Sequence, residues 1–182
     1  MIFDDLVSCS ISCRSDFIAI SLQLHPTDTR NKIVMVGQWV FNGKTIRNYD
    51  YSTDMSVNPT TYDYLNHDGW DEVHNIGEVW CNMLWEMEWN IIDATKKINT
   101  DWFSKDYTAG NILAVQYVVD ALKLSPCSPS FVQMRDSILQ AEKALTQGKH
   151  ACAIWKAFAK RGLGKSAVDN PVTAAFDLPA GC

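Results

Sequence analysis

The stretch EVHNIGEVWCNMLWEMEWNIID, residues 72–93, decides the fold. Val73, Ile76, Trp80, Met83, Leu84, Met87 and Ile91 recur at steps of three and four, which is one face of an α-helix. Trp85, Trp89 and Ile92 make a second apolar side. The spacing predicts a helix over 71–98, buried on more than one flank. A helix so apolar needs partners, and three further helices are predicted downstream. Residues 110–123 form one, stopped by Ser125-Pro126. Residues 129–146 form another, with Ser128 as cap, Pro129 in the first turn and Gly148 at the end. Its apolar face runs Phe131, Met134, Ile138, Leu139, Ala141, Leu145. Residues 150–161 form the last, with Ile154, Trp155, Phe158 and Ala159 on its face and Gly162 and Gly164 beyond it. Upstream, 15–24 (SDFIAISLQL) reads as a short helix with Asp16 near its favourable N-terminus. Residues 26–70 are irregular, and a connection that long is functional or packed as a structured loop. The fold class expected is mainly α, with a long irregular segment before the longest helix.

The 182 residues suffice for one domain with a sizeable core, and 47% hydrophobic against 20% charged is a globular composition. A net charge of −5 without clustered Lys or Arg argues against nucleic acid as a partner. No stretch reaches the roughly 18–20 apolar residues of a membrane span. The opening MIFDDLVSCSIS lacks the basic and apolar regions of a signal peptide, whereas six cysteines suit an oxidising compartment. Two readings stay open: Met1 is not the true start and an upstream part carries the signal, or the thiols are free in a cytosolic protein.

Cys127 lies before the third long helix and Cys152 opens the fourth, and a Cys127–Cys152 bridge is the expectation for adjacent antiparallel helices. Cys182 lacks an evident partner, and Cys81 reads as a buried free thiol. Cys9 and Cys13 have no second Cys/His pair nearby to make a zinc knuckle.

The 182 residues contain no HExxH, GxSxG or GxxxxGK[ST]. His74, in DEVHNIGEVW, sits at the N-terminal turn of the longest helix beside Asp71 and Glu72. A histidine so flanked is a good donor to a developing oxyanion, although spacing alone favours a structural, capping role. His74 and Glu78 are four apart, and a surface pair is expected there rather than a metal site. Glu86 and Glu88, among Trp85 and Trp89, read as solvated charges on a helix flank rather than a glycosidase carboxylate pair.

Taken together, SDFIAISLQL, NYDYSTDMSVNPTTYDYLN, EVHNIGEVWCNMLWEMEWNIID, GNILAVQYVVDALKLSPCSPSFVQMRDSILQAEKAL, ACAIWKAFAKRGLG and FDLPAGC resemble, in order, the fungalysin family of secreted fungal zinc metalloendopeptidases. The resemblance implies the helical C-terminal part of a thermolysin-like catalytic domain over 15–182, with 1–14 a divergent segment. It implies extracellular peptide-bond hydrolysis by zinc-activated water on protein or peptide substrates. His74 then matches the histidine that hydrogen-bonds the tetrahedral oxyanion, Glu72 a possible orienter of it. Asp16 matches the acid closing the family's GEGWSD motif, where it supports a zinc-bound histidine. The departures are in the metal site. The HExxH would lie before Met1, and Ser12, in Ile11-Ser12-Cys13-Arg14-Ser15-Asp16, stands where the glutamate ligand belongs. The chain alone is therefore expected to hold no zinc and to be inactive. The alternative is a non-catalytic module docking on an N-terminal peptidase lobe or propeptide. Without such a lobe, the apolar flank of the longest helix is expected to be partly bare.

Overall fold

The computed structural model describes residues 15–182; Cys9, Ser12 and Cys13 lie outside the described residues. Helix α1 covers 15–21, and a 3-10 helix spans Tyr62–Asn66. The longer helices are α2 (Val73–Thr95), α3 (Gly110–Leu124), α4 (Phe131–Thr146) and α5 (Ala151–Lys160). Strands β1 (Val168–Asp169) and β2 (Val172–Thr173) pair antiparallel in the tail, Val168 facing Thr173 and Asp169 facing Val172. The mainly α class is met, and helix ends fall within a few residues of their expected places.

Helix α2 is the hub: it packs against α3 and α5, and α3 packs against α4. Every residue from Ile76 to Ile92 except Asn90 is buried. The Trp80 ring stands edge-on to Phe131 at 5.0 Å and stacks on Phe158 at 5.7 Å, so α4 and α5 meet on its two sides. Trp85 and Trp89 contact each other edge to face at 5.8 Å. At the α2–α3 crossing Gly110 is required, because a Cβ there would lie 2.5 Å from the Ile92 Cα. The expected bare flank of α2 is absent, since Phe17 and Ile20 of α1 and residues of α3 and α5 join its core. Apolar exposure falls instead on the connecting segments, where Phe103 is 100%, Trp39 93% and Val40 81% exposed.

Two expectations fail for geometric reasons. The cap of α4 is Ser130, not Ser128: Ser130 Oγ accepts from the Gln133 amide while the Gln133 side chain accepts from the Ser130 amide. Gln133 stands three residues after Ser130, the spacing that lets the two reciprocate. The disulfide joins Cys152 to Cys182, and Cys127 is an exposed free thiol. In consecutive antiparallel helices the end of the first meets the start of the second. The start of α4, where Cys127 lies, is therefore a helix length away from Cys152, roughly 24 Å for 16 residues. The tail makes the bridge instead: Ala175 and Asp177 carbonyls accept from Gly164 and Lys165, which turns Cys182 back to α5. Cys81 is a buried free thiol, as expected.

Candidate functional site: the N-terminal turn of helix α2

Helix α2 opens on Glu72, and that carboxylate has two duties. Oε2 accepts from the backbone amides of His74 and Asn75 at 2.9 and 3.3 Å, capping the helix. Oε1 lies 2.5 Å from His74 Nδ1. Partial burial would raise the Glu72 carboxyl, but the hydrogen bonds from the His74 ring and the two amides outweigh it and hold it below its ordinary value. The His74 side chain is 60% exposed, so the ring is fixed at Nδ1 and open to solvent elsewhere. One side chain, Glu72, thus meets the His74 ring and caps the helix.

Glu78 does not form the expected surface pair with His74. It is buried, and its oxygens accept from the Asn48 and Tyr49 amides at 2.9 and 2.8 Å. Burial raises the Glu78 carboxyl, with the Asn48 and Tyr49 hydrogen bonds opposing. Asn75 adds to the same seam, its Oδ1 accepting from Asn48 Nδ2 at 2.7 Å. The segment 47–51 is thereby laid along the first turns of α2. Its other partner is Asp16: Arg47 Nε and Nη2 donate to the Asp16 carboxylate at 2.7 and 3.1 Å, and the Tyr51 hydroxyl donates at 2.7 Å. One short segment therefore joins Asp16 on α1 to the turn that carries His74. Arg47, Tyr51 and the Glu78 seam escape sequence reading, because their partners lie about thirty residues away with no periodic signal.

The two glutamates read as solvated are fully buried. Glu86 meets Lys160 at 2.8 Å, Arg161 at 3.2 Å and Arg30 at 3.3 Å. Arg161, also fully buried, donates to the carbonyls of Ser52, Asn58 and Thr60 at 2.8, 2.6 and 3.2 Å. Burial lowers the Arg161 guanidinium, and Glu86 opposes that shift. The pair is a buried clamp on the irregular segment, too occupied for acid–base work. Among the described residues Glu88 hydrogen-bonds only to the Ser21 hydroxyl, at 2.8 Å, and burial pushes its carboxyl up to about 8. His150 is also buried, with Nδ1 2.9 Å from the Tyr117 hydroxyl, and burial lowers its ring. His25 and His67 join neither group of residues.

The donor set for a metal was tested on the same geometry. Among the described residues no three His, Cys, Asp or Glu side chains converge to hold an ion. Glu72 spends its oxygens on two amides and the His74 ring, Glu78 on the Asn48 and Tyr49 amides, and Asp16 on Arg47 and Tyr51. Zinc, as the resemblance implies it, finds no ligand set there. Nor is any helix of the described residues long and apolar enough to cross a membrane.

Comparison with known proteins bears on this arrangement. An extracellular metalloproteinase of Pyrenophora tritici-repentis is 45% identical over 175 residues, covering 92% of this chain and 26% of that protein. Extracellular metalloproteinase 4 of Arthroderma benhamiae is 46% identical over 176 residues, covering 92% and 27%, and its namesake from Trichophyton tonsurans matches equally well. The chain thus spans about a quarter of the length of these relatives. Residues 12–167 match the sequence profile of the fungalysin metallopeptidases (M36), so the chain belongs to that family.

Proposed function

We propose that this chain forms the helical wall of the cleft of an extracellular metalloendopeptidase acting on protein or peptide substrates. The observation that carries the reading is the Glu72–His74 contact at 2.5 Å on an exposed helix N-terminus, in a family of metallopeptidases. With Nδ1 held by Glu72, the remaining donor is Nε2–H, and donation from both nitrogens together needs the imidazolium, with Glu72 as its counter-charge. Aimed at a peptide carbonyl under attack, that N–H stabilises the developing oxyanion. Asp16 is proposed as the acid that orients a histidine ligand. Zinc supplies water activation in such enzymes. The described residues offer it no ligands, so by itself this chain is expected to bind no stoichiometric zinc and to leave casein intact. Chelator-sensitive casein cleavage by the purified chain would overturn that expectation.

The positive test is a graft. Residues 15–182 replace the matching quarter of the Pyrenophora tritici-repentis metalloproteinase. The chimera is expected to cleave peptides, and His74→Ala to lower kcat by roughly 10²–10³ with little change in KM, the size expected for one oxyanion donor. An inactive chimera, or an active one indifferent to His74→Ala, sinks the reading. The exposed Trp39 and Val40 support a second reading, a non-catalytic module that docks on a peptidase lobe or propeptide. That reading requires a monodisperse chain that captures the purified lobe or propeptide, and loses the capture on Trp39→Ser.

A further inference from the structure

Helix α2 has a second functional-looking flank. Ile76 stands about 200° around the helix from His74, two residues on. There it lines a cavity of about 270 Å³, bounded also by Leu65, Trp70, Phe131, Pro171 and Val172. These side chains make an apolar interior. Several polar groups on its walls are engaged internally, while Asn170 on the rim is exposed. The Tyr62 and Ser130 hydroxyls donate to the two oxygens of Asp169 at 2.8 and 2.6 Å, and the Val132 amide adds a third hydrogen bond at 3.2 Å. Asn66 Nδ2 donates to the Val172 carbonyl at 3.1 Å. One charged group on the lining differs. Asp71 is exposed, and among the described residues no hydrogen bond or ion pair engages it.

We infer that this cavity binds a basic group carried on an apolar stem, the stem in the apolar interior and the cation at Asp71. The apolar walls reward burial of hydrocarbon, and the two hydroxyls and the Asn66 N–H are already given to internal acceptors. The unpaired carboxylate sets the sign of the charge. An anion would meet Asp71 on a chain already at −5 and is disfavoured. The same chemistry has two sources, a free arylalkyl amine or a Lys or Arg side chain of a peptide. The site goes beyond peptide cleavage and does not rest on it, because His74 is on the other flank.

The test titrates the purified chain with 2-phenylethylamine and with its neutral analogue 2-phenylethanol, reading the Trp70 indole resonance. The amine is expected to bind roughly three- to fivefold tighter at low salt, the size of one solvent-exposed ion pair. Added salt should shrink that advantage. Asp71→Asn, a change at an exposed position, should abolish it and leave the alcohol unaffected. Competition by N-acetyl-arginine amide assigns the site to peptide side chains, and its failure to compete assigns it to free amines. Equal binding of amine and alcohol overturns the inference. So does an advantage that survives Asp71→Asn, or a Trp70 resonance unmoved by millimolar amine.

Discussion

Helix α2 carries two charged contacts of opposite character. At its first turn Glu72 meets His74, with side chains 48% and 60% exposed. Four turns on, Glu86 meets Arg161 with neither exposed at all. Both look alike in sequence, a glutamate on a helix. The first holds a ring in place while water screens its charge, so it adds little to stability and leaves the ring free to act. The second has left water altogether, and only complete pairing makes it tolerable. The difference separates two jobs on one helix: a solvent-screened contact that caps its start, and a desolvated contact that locks its middle.

Removing one partner of the buried pair should break the contrast most sharply. Arg161→Met takes from Glu86 its one fully buried partner, leaving it Lys160 and Arg30, and frees three buried carbonyls, and is expected to cost about 3 kcal/mol in denaturant unfolding. A loss below about 1 kcal/mol would make the two contacts equivalent. The covalent clamp comes next. Cys182→Ser opens a loop whose ends lie 30 residues apart, and a loss of roughly 3–4 kcal/mol is expected under oxidising conditions, vanishing once both proteins are reduced. Glu88 sharpens the comparison through pH. Burial holds its proton up to about 8, so the native state binds that proton more tightly than the unfolded chain. Its contribution is complete below the ordinary carboxylate range and is lost as pH climbs to about 8. Stability should fall with a slope approaching about 1.4 kcal/mol per pH unit there, and Glu88→Gln should flatten it. Glu72, held low by His74 and the amides, has the opposite sign: its smaller contribution is lost as pH falls. Glu72→Gln is accordingly expected to cost less than about 1 kcal/mol, while uncoupling the ring.

The helices were legible because burial on one face leaves a period of 3.6 in the sequence, and Ile76 to Ile92 keeps that period plainly. His74 and Glu72 were legible because they sit together at a helix start. Ser130 is masked in the sequence by Ser128-Pro129, an equally plausible opening, and the reciprocal Gln133 three residues on is what distinguishes it. The Cys127–Cys152 pairing failed on direction, since antiparallel neighbours bring opposite ends together. Glu86 and Glu88 were misread because charge suggests exposure. Their partners, Arg161 and Ser21, lie 75 and 67 residues away, and local reading does not reach them. Long-range polar contacts have no period, which is why the whole 47–51 seam was invisible as well.

Arg161 has a consequence in terms of proteolysis. Residues 26–70 form a long stretch with no α-helix, the kind of segment an endopeptidase opens first. Cleavage needs that backbone to leave its partners and lie extended in another enzyme's cleft. The carbonyls of Ser52, Asn58 and Thr60 are held by one buried guanidinium, itself held by Glu86. Cutting there must wait for local opening that breaks a desolvated ion pair. The stretch 52–60 should therefore resist cutting longer than the exposed Trp39–Val40 part of the same segment.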